Sequence, residues 1–432
     1  MSFPVVFRVT SSLLLVSCIG LSCKPVPGET TQGSGDTTGP DTTTGSGSTT
    51  TGPGTSTTES GPTSSSTTSE TVECIELPEN ASYCSQEVSV GIFGYRLASA
   101  DFNGDQNEDL ASWDGQTLHV AYGDGLGNFN APMTMEAKSI GLTMGLSAGD
   151  VDNDGINEVL LFDGTAGSVM VCTASNGTVT DIATFNLEEQ TLSLTVADLN
   201  ADGFDDLIAG VLVVSDSMTT GGVHTYIGSP DGFSSAGEVT LLPNCYASAM
   251  ASLHLNQDDR LDIAVLGGCA ANFDQSPFNL LTLSQESNYQ PFAEYIAGED
   301  PQSIAAVRVN SDDADDLVVA NRGSNDLSVF LGNGNGTFGD EQRMPLACEA
   351  CATLVYVGGV DLDNDGTEEI LYISGTDSGS VLRAKYKLGE EVELGSAWSE
   401  FRVADFNEDG RGDIAFPSSI DGQVHVLLSS GE

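Results

Sequence analysis

The chain has 432 residues, of which 39% are hydrophobic and 7% aromatic, and it carries 13 Lys and Arg residues against 63 Asp and Glu residues. The formal net charge of −50 at pH 7 would repel a polyanion, so nucleic acid is excluded as an expected partner. The 9 cysteines favour an oxidising compartment outside the cytoplasm, where disulfides form.

Residues 1–18 have the layout of an export signal. Arg8 precedes the apolar run VTSSLLLVS, which is too short to span a membrane as a helix. The string LVSC, which ends at Cys18, resembles the processing box of bacterial lipoproteins. We therefore expect Cys18 to carry a lipid anchor and the protein to reach the outer surface of the cell envelope or the extracellular space. Cys23 is the weaker candidate, and an ordinary cleaved signal that contains cysteines is the alternative.

Residues 19–72 consist largely of Thr, Ser, Gly and Pro. Such a composition buries too little apolar surface to offset the entropy lost on ordering, so the segment is predicted to be a disordered linker. In the flexible regime its root-mean-square reach is on the order of 40 Å, which is enough to hold a domain away from a membrane.

Residues 73–432 form the predicted domain, and they contain seven copies of an acidic frame of nine residues. We name these frames loop 1 (101–109), loop 2 (150–158), loop 3 (198–206), loop 4 (254–262), loop 5 (308–316), loop 6 (361–369) and loop 7 (405–413). Oxygen-bearing side chains recur at positions three, five and nine, between apolar runs typical of strands. Successive frames begin 49, 48, 56, 54, 53 and 44 residues apart, which is near the length of a four-stranded propeller blade.

The fold predicted from this period is an all-β, seven-bladed propeller of four-stranded antiparallel blades. After loop 7 only two strand-like segments remain, so the last blade lacks its outer strand. The segment EVSVGIF, residues 87–93, belongs to no blade of its own and is predicted to supply that strand. Closing the ring in this way would remove an exposed sheet edge.

Five of the loops have Asp at their first position and are predicted to bind one Ca²⁺ each. Closely spaced carboxylates repel one another unless a hard cation lies between them, and a flexible cage of oxygen ligands suits Ca²⁺ better than Mg²⁺. Side chains are expected to coordinate from positions one, three, five and nine, and a backbone carbonyl from position seven, where the residue type varies. The predicted ligands are Asp101, Asn103, Asp105, Asn107 and Asp109; Asp150, Asp152, Asp154, Ile156 and Glu158; Asp198, Asn200, Asp202, Phe204 and Asp206; Asp361, Asp363, Asp365, Thr367 and Glu369; and Asp405, Asn407, Asp409, Arg411 and Asp413.

Loops 4 and 5 depart from this pattern, because His254 and Arg308 replace the first Asp. We expect blades four and five to hold no calcium. An Arg308 guanidinium paired with Asp312 or Asp316 would serve as an internal cation.

The cysteines suggest local disulfides. Cys74 with Cys84 and Cys348 with Cys351 are close in sequence, and Cys245 with Cys269 would meet at one end of a hairpin. Cys172, in an apolar strand, is expected to be a buried free thiol.

The repeated frames resemble those of FG-GAP, or integrin-alpha-like, propellers and related bacterial repeat domains, in which DxDxDGxxD loops bind calcium between the first and second strands. The resemblance covers about 80% of the chain. It implies a surface or secreted module for adhesion or for binding protein or glycan.

We expect a monomeric binding module that contacts the membrane only through its lipid anchor. A purely structural envelope protein is the alternative, and a non-catalytic remnant of a propeller lyase or hydrolase is a more distant one. No catalytic arrangement of side chains emerges, so we do not expect an enzyme. The longest connections opposite the loops, at 213–222, 241–248 and 267–278, are a candidate binding surface.

Overall fold

The structure is a computed structural model, and it describes residues 73–76, 82–137, 143–175, 177–187, 190–214, 219–243, 245–255, 261–269, 277–283, 289–312, 314–346, 353–376, 379–386 and 391–430. These residues lie within one compact unit, Ser69–Glu432. The predicted signal, the predicted linker, the Cys348–Cys351 pair and residues 256–260 of loop 4 fall outside the described residues. So do the central parts of the three long connections.

The described residues form an all-β propeller. Six of its sheets are antiparallel and four-stranded, each made of strands consecutive in sequence. They are β3 (Arg96–Ala100), β4 (Asp109–Trp113), β5 (Thr117–Ala121) and β6 (Met133–Glu136); β7 (Thr143–Gly149), β8 (Glu158–Asp163), β9 (Ser168–Ser175) and β10 (Thr178–Asn186); β11 (Gln190–Ala197), β12 (Asp206–Val214), β13 (Thr219–Ile227) and β14 (Ser234–Pro243); β15 (Cys245–Leu253), β16 (Asp262–Cys269), β17 (Pro277–Leu283) and β18 (Tyr289–Ile296); β19 (Pro301–Val307), β20 (Asp316–Asn321), β21 (Asp326–Phe330) and β22 (Gln342–Pro345); and β23 (Thr353–Val360), β24 (Glu369–Thr376), β25 (Gly379–Lys385) and β26 (Glu391–Gly395).

A further sheet joins the two ends of the domain. It contains β1 (Glu73–Glu76), β2 (Ser82–Phe93), β27 (Arg402–Ala404), β28 (Asp413–Pro417) and β29 (Gln423–Ser429), in the order β1-β2-β29-β28-β27. The predicted closure by an N-terminal strand is therefore confirmed. The strand begins five residues earlier than expected, and β1 adds a fifth strand that the sequence analysis did not foresee. Cys74 on β1 lies opposite Cys84 on β2, and the predicted disulfide joins them.

The strands differ in burial according to their place in each sheet. The second strand of a sheet packs against a neighbouring sheet on each of its two faces. Every residue of the second strands β4, β8, β20 and β28 is therefore buried. An outer strand such as β10 has mostly exposed or half-buried residues. The first strands β3, β7, β11, β15, β19 and β23 contact one another in succession, and β27 contacts β3. These first strands therefore lie innermost.

The structure also describes the positions of Cys172, Cys245 and Cys269. Cys172 is a buried free thiol, as expected. Cys245 and Cys269 are directly opposite in the pairing of β15 with β16, so the backbone register brings the two positions together. Their disulfide stays a prediction. No helix among the described residues is long and apolar enough to span a membrane.

Candidate metal loops

Each loop connects the first strand of a sheet to the second, and its first carboxylate organises the turn. In loop 2, the Oδ1 atom of Asp150 accepts the backbone N–H of Asp154 at 3.1 Å, and its Oδ2 atom accepts that of Gly155 at 2.9 Å. Loops 1, 3, 6 and 7 repeat this pattern with Asp101, Asp198, Asp361 and Asp405.

The carboxylate at position five fixes the next part of the turn by accepting the N–H of position seven. The donors are Asn107, Ile156, Phe204, Thr367 and Arg411, at 2.9–3.0 Å. Their predicted role as carbonyl ligands stays a prediction.

Positions four and six both take left-handed backbone conformations. In loop 6, Asn364 has φ of 56° and Gly366 has φ of 86°. A β-carbon is disfavoured in that region, which explains why Gly recurs at position six. The turn brings the oxygens of positions one, three and five to one side of the backbone.

Position nine has a second role, because its buried carboxylate joins the loop to the third strand of the same sheet. Asp206 accepts the N–H of Leu199 at 2.9 Å and that of Gly228 at 2.7 Å. A Cβ on Gly228 would lie 2.5 Å from the carbonyl oxygen of Asp205, so only glycine fits there. Loops 1, 5 and 7 have the same pair of donors, with Asp109, Asp316 and Asp413 at position nine.

Because loop 5 has this arrangement although Arg308 replaces the first Asp, the link made by position nine does not depend on that Asp. Burial raises the pKa of Asp206, Asp316 and Asp413 to about 6 and that of Asp109 to about 7, although the two backbone N–H bonds oppose the rise.

Loops 2 and 6 differ, because Glu stands at position nine. Glu369 is 1% exposed, and its Oε2 atom accepts the N–H of Leu362 at 2.9 Å. Its Oε1 atom is buried and has no hydrogen-bond partner. Glu158 likewise accepts one backbone N–H, from Val151 at 3.2 Å. Burial raises the pKa of both carboxyl groups to about 8, with the nearby carboxylates of each loop adding to the rise. A divalent cation beside them would favour the ionised form.

Carboxylate oxygens converge in these same two loops. One atom from each of Asp150, Asp152 and Glu158 lies within 4.8 Å of the others, and so does one atom from each of Asp361, Asp363 and Asp365. Tyr386 also donates its hydroxyl to Asp363. Loops 1, 3 and 7 have Asn at position three, and the Oδ1 atom of Asn200 in loop 3 is buried without a hydrogen-bond partner. The donor sets are therefore hard oxygen ligands of the kind that calcium prefers.

Loop 5 corrects one expectation. The Nε atom of Arg308 lies 3.3 Å from Asp315, at position eight, and not beside Asp312 or Asp316. Asp316 is already engaged by the backbone N–H groups of Val309 and Gly332, and the Arg308 side chain is 63% exposed. The guanidinium therefore lies on the outside of the loop and does not act as an internal cation.

Position eight links neighbouring loops in loops 3, 5 and 6, and the sequence analysis missed this role. Its carboxylate accepts the N–H of position one in the preceding loop, as Asp205 does from Asp150 at 2.8 Å and Glu368 does from Arg308 at 2.9 Å. The backbone N–H of position eight in turn donates to the carbonyl of position one, from Asp205 to Asp150 at 2.9 Å and from Glu368 to Arg308 at 2.7 Å. Adjacent acidic residues at positions eight and nine, as in GFDD and GTEE, were the available signal.

Comparison with known proteins supports the repeat assignment. The sequence model of the FG-GAP-like repeat matches residues 101–161, 150–209 and 308–372, which together span less than half of the chain. Each match contains two successive loops. The chain thus contains FG-GAP-like repeats within a β-propeller, as the resemblance implied.

A comparison of the sequence with curated proteins finds no match. Among the matching solved structures is one described as "The crystal structure of a functionally unknown protein from Desulfotomaculum acetoxidans DSM 771". It is 9% identical, and the alignment covers 73% of this chain and 92% of that one with a TM-score of 0.46.

Proposed function

We propose that the protein is an exported, lipid-anchored binding module whose seven-bladed propeller is stabilised by calcium. The five-stranded sheet serves as the seventh blade, with β27 as its inner strand. The protein acts by binding and not by catalysis, it is monomeric, and its partner is a protein or a glycan. A purely structural envelope protein is the second candidate.

The unpartnered Oε1 atom of the buried Glu369 carries the calcium proposal. Burying a carboxylate with half of its acceptor capacity unused is costly, and a cation held by Asp361, Asp363 and Asp365, whose charges act on Glu369, would offset that cost. Loop 2 has the same Glu at position nine and its own convergent carboxylates. Loops 2 and 6 are therefore the principal calcium sites, loops 1, 3 and 7 are further sites, and loops 4 and 5 take none.

Calcium would supply positive charge and flexible oxygen coordination at these loops. The residues of the loops shape the turn and connect it to its neighbours. Position one shapes the turn, position nine ties the loop to the third strand, and position eight ties it to the preceding loop. Cation binding at the loops then stabilises a whole ring of sheets by mass action.

Calorimetric titration of the metal-free protein with Ca²⁺ tests this proposal. We expect binding, an upward shift of the melting midpoint, and weaker binding in Glu158→Gln and Glu369→Gln. The matched control is Asp231→Asn, which removes a carboxylate from an exposed turn outside the loops. A folded protein that takes up no Ca²⁺ and melts at the same temperature with and without chelator would overturn the calcium proposal.

The binding role rests on the general use of rigid scaffolds to present connections for recognition. An array of glycans and surface proteins, probed with the calcium-loaded protein, distinguishes the two candidates. Reproducible binding to one class supports the binding module, and absence of binding across the array favours the structural candidate. Mass spectrometry of the mature N-terminus in the membrane fraction tests the anchor, which predicts a lipidated Cys18.

A further inference from the structure

Cationic side chains in this acidic protein are mostly matched with carboxylates of their own. Among the described residues, the matched pairs include Arg308 with Asp315, Arg322 with Asp300, Arg343 with Asp326, Arg383 with Glu393 and Lys385 with Glu391. Arg96 and Arg402 differ, because both approach the same carboxylate, Glu400. This cluster has two positive charges and one negative charge.

The cluster lies where two sheets meet at their innermost strands. Arg96 is on β3 and Arg402 is on β27, and these strands contact each other. The Nη1 atom of Arg96 is 3.3 Å from Glu400, and the Nη2 atom of Arg402 is 3.6 Å from it. Glu400 is 5% exposed and accepts hydrogen bonds from Arg96 and from the backbone N–H of Leu97, while Arg402 contacts it as an ion pair.

The two guanidinium groups do not use all of their N–H donors within the protein. The buried Nε atom of Arg96 has no partner. The Nη1 atom of Arg402 donates to the Tyr356 hydroxyl at 2.9 Å and to the Phe401 carbonyl at 2.8 Å. The side chains of Arg96 and Arg402 are 19% and 25% exposed, so both retain a surface that solvent reaches. A second anion would satisfy the excess charge.

An exposed aromatic residue is close in sequence to this cluster. Trp398 is 50% exposed and lies two residues before Glu400, in the connection from β26 to β27. The connection is fixed on both sides, since Ser399 donates its hydroxyl to the Tyr95 carbonyl at 2.7 Å and Trp398 donates its backbone N–H to the Pro417 carbonyl at 2.9 Å. The segment that carries the exposed indole is therefore held against Tyr95, which directly precedes Arg96 in the sequence.

We propose that Arg96, Arg402 and Trp398 form a binding site for a saccharide that carries a carboxylate, such as a uronate. A guanidinium fork matches a carboxylate in shape and charge, and an exposed indole offers an apolar face to the C–H groups of a sugar ring. A simple inorganic anion would use the arginines and leave the indole in water. This inference rests on the proposed binding function, for which it names a ligand class and a place.

The test is a calorimetric titration of the calcium-loaded, full-length protein with monomeric galacturonate, which carries a single negative charge. Neutral galactose, acetate, inorganic phosphate and an acidic peptide are titrated in parallel. We expect galacturonate to bind and galactose not to bind. Arg402→Gln and Trp398→Ala should each weaken galacturonate binding at least tenfold, whereas the matched control Arg322→Gln should leave it unchanged.

Several outcomes would overturn the inference. They are the absence of galacturonate binding, binding that the Trp398→Ala and Arg402→Gln variants retain, equal affinity for acetate or phosphate, and binding of the acidic peptide alone. Melting curves on the same samples show whether Arg402→Gln still folds, and Trp398→Ala removes an exposed side chain and should fold in any case. Calcium uptake, measured in parallel, separates a failure of this site from a failure of the calcium proposal.

Discussion

Replacing Glu369 with Gln should change stability in opposite directions with and without calcium. Glu369 is buried, and only one of its two carboxyl oxygens has a hydrogen-bond partner. Leaving a buried polar atom unsatisfied costs about 1–3 kcal/mol, and more when the group is charged. Glutamine has nearly the same shape and still leaves one buried amide atom unpaired, but it carries no charge and avoids the additional cost of burying one. In chelator, Glu369→Gln should therefore be more stable than the parent protein by about 1–3 kcal/mol.

The raised pKa of Glu369 also predicts that Glu369→Gln is more stable than the parent protein in chelator. Since burial raises this pKa to about 8, the folded metal-free protein at pH 7 must take up a proton that the unfolded chain has released. Glutamine carries no such requirement. In calcium the order reverses, because the variant lacks one ligand and gains less from the ion.

Thermal unfolding of both proteins, with calcium and with chelator, measures the effect. A gain of 1 kcal/mol should raise the midpoint by about 2 °C in a domain of this size. The exposed control Asp231→Asn should behave as the parent protein does in both buffers. A Glu369→Gln variant that is less stable than the parent in chelator, or that gains as much from calcium, would refute the reasoning.

Three further predictions concern other parts of the fold. Gly366→Ala should lower the free energy of unfolding by about 1 kcal/mol, because φ at this position is 86° and a new Cβ meets nothing within 4 Å, so that only backbone strain is added. Gly366→Asn should cost less, since Asn tolerates this conformation better. Denaturant midpoints of the two variants, measured in calcium, test the difference. His425 lies 2.5 Å from Glu87 on β2, and this contact raises the pKa of His425 and lowers that of Glu87. His425→Gln should therefore destabilise the protein below about pH 6.5. The difference in stability between the variant and the parent protein should vanish as pH rises through the folded-state pKa of His425. Equal destabilisation at every pH in a series of melting curves would contradict this. Cys245 and Cys269, opposite each other in register, should be recovered as one disulfide-linked peptide in a non-reducing digest, and Cys245→Ser should lower the melting midpoint only under oxidising conditions.

The sequence predicted most of the fold because the seven frames mark the end of each first strand and the start of each second strand. The apolar runs that follow them, such as DLVVAN, are buried on every residue. It did not predict β1, because ECIE is too short and too polar to resemble a strand outside its pairing with β2. The early start of β2 was missed for a similar reason, since SYCSQ contains few apolar residues.

The sequence pattern located the acidic loops but did not distinguish one loop from another. The ligand pattern treated Asp and Glu at position nine as equivalent. The structure separates them by the number of backbone donors, with two for Asp206 and one for Glu369. That difference depends on whether the third strand of the sheet brings an N–H group to the carboxylate, which local spacing does not reveal. The contact of Arg308 with Asp315 likewise depends on a side-chain direction that sequence leaves open.

The pairing of β2 with β29 unites segments near the beginning and the end of the domain. A nascent chain cannot complete this sheet until Ser429 has left the ribosome. The sheet that contains β2 therefore stays incomplete until synthesis of the domain is almost finished. A product truncated before Gln423 would leave β2 without its hydrogen-bonded neighbour and would be a natural substrate for quality-control proteases.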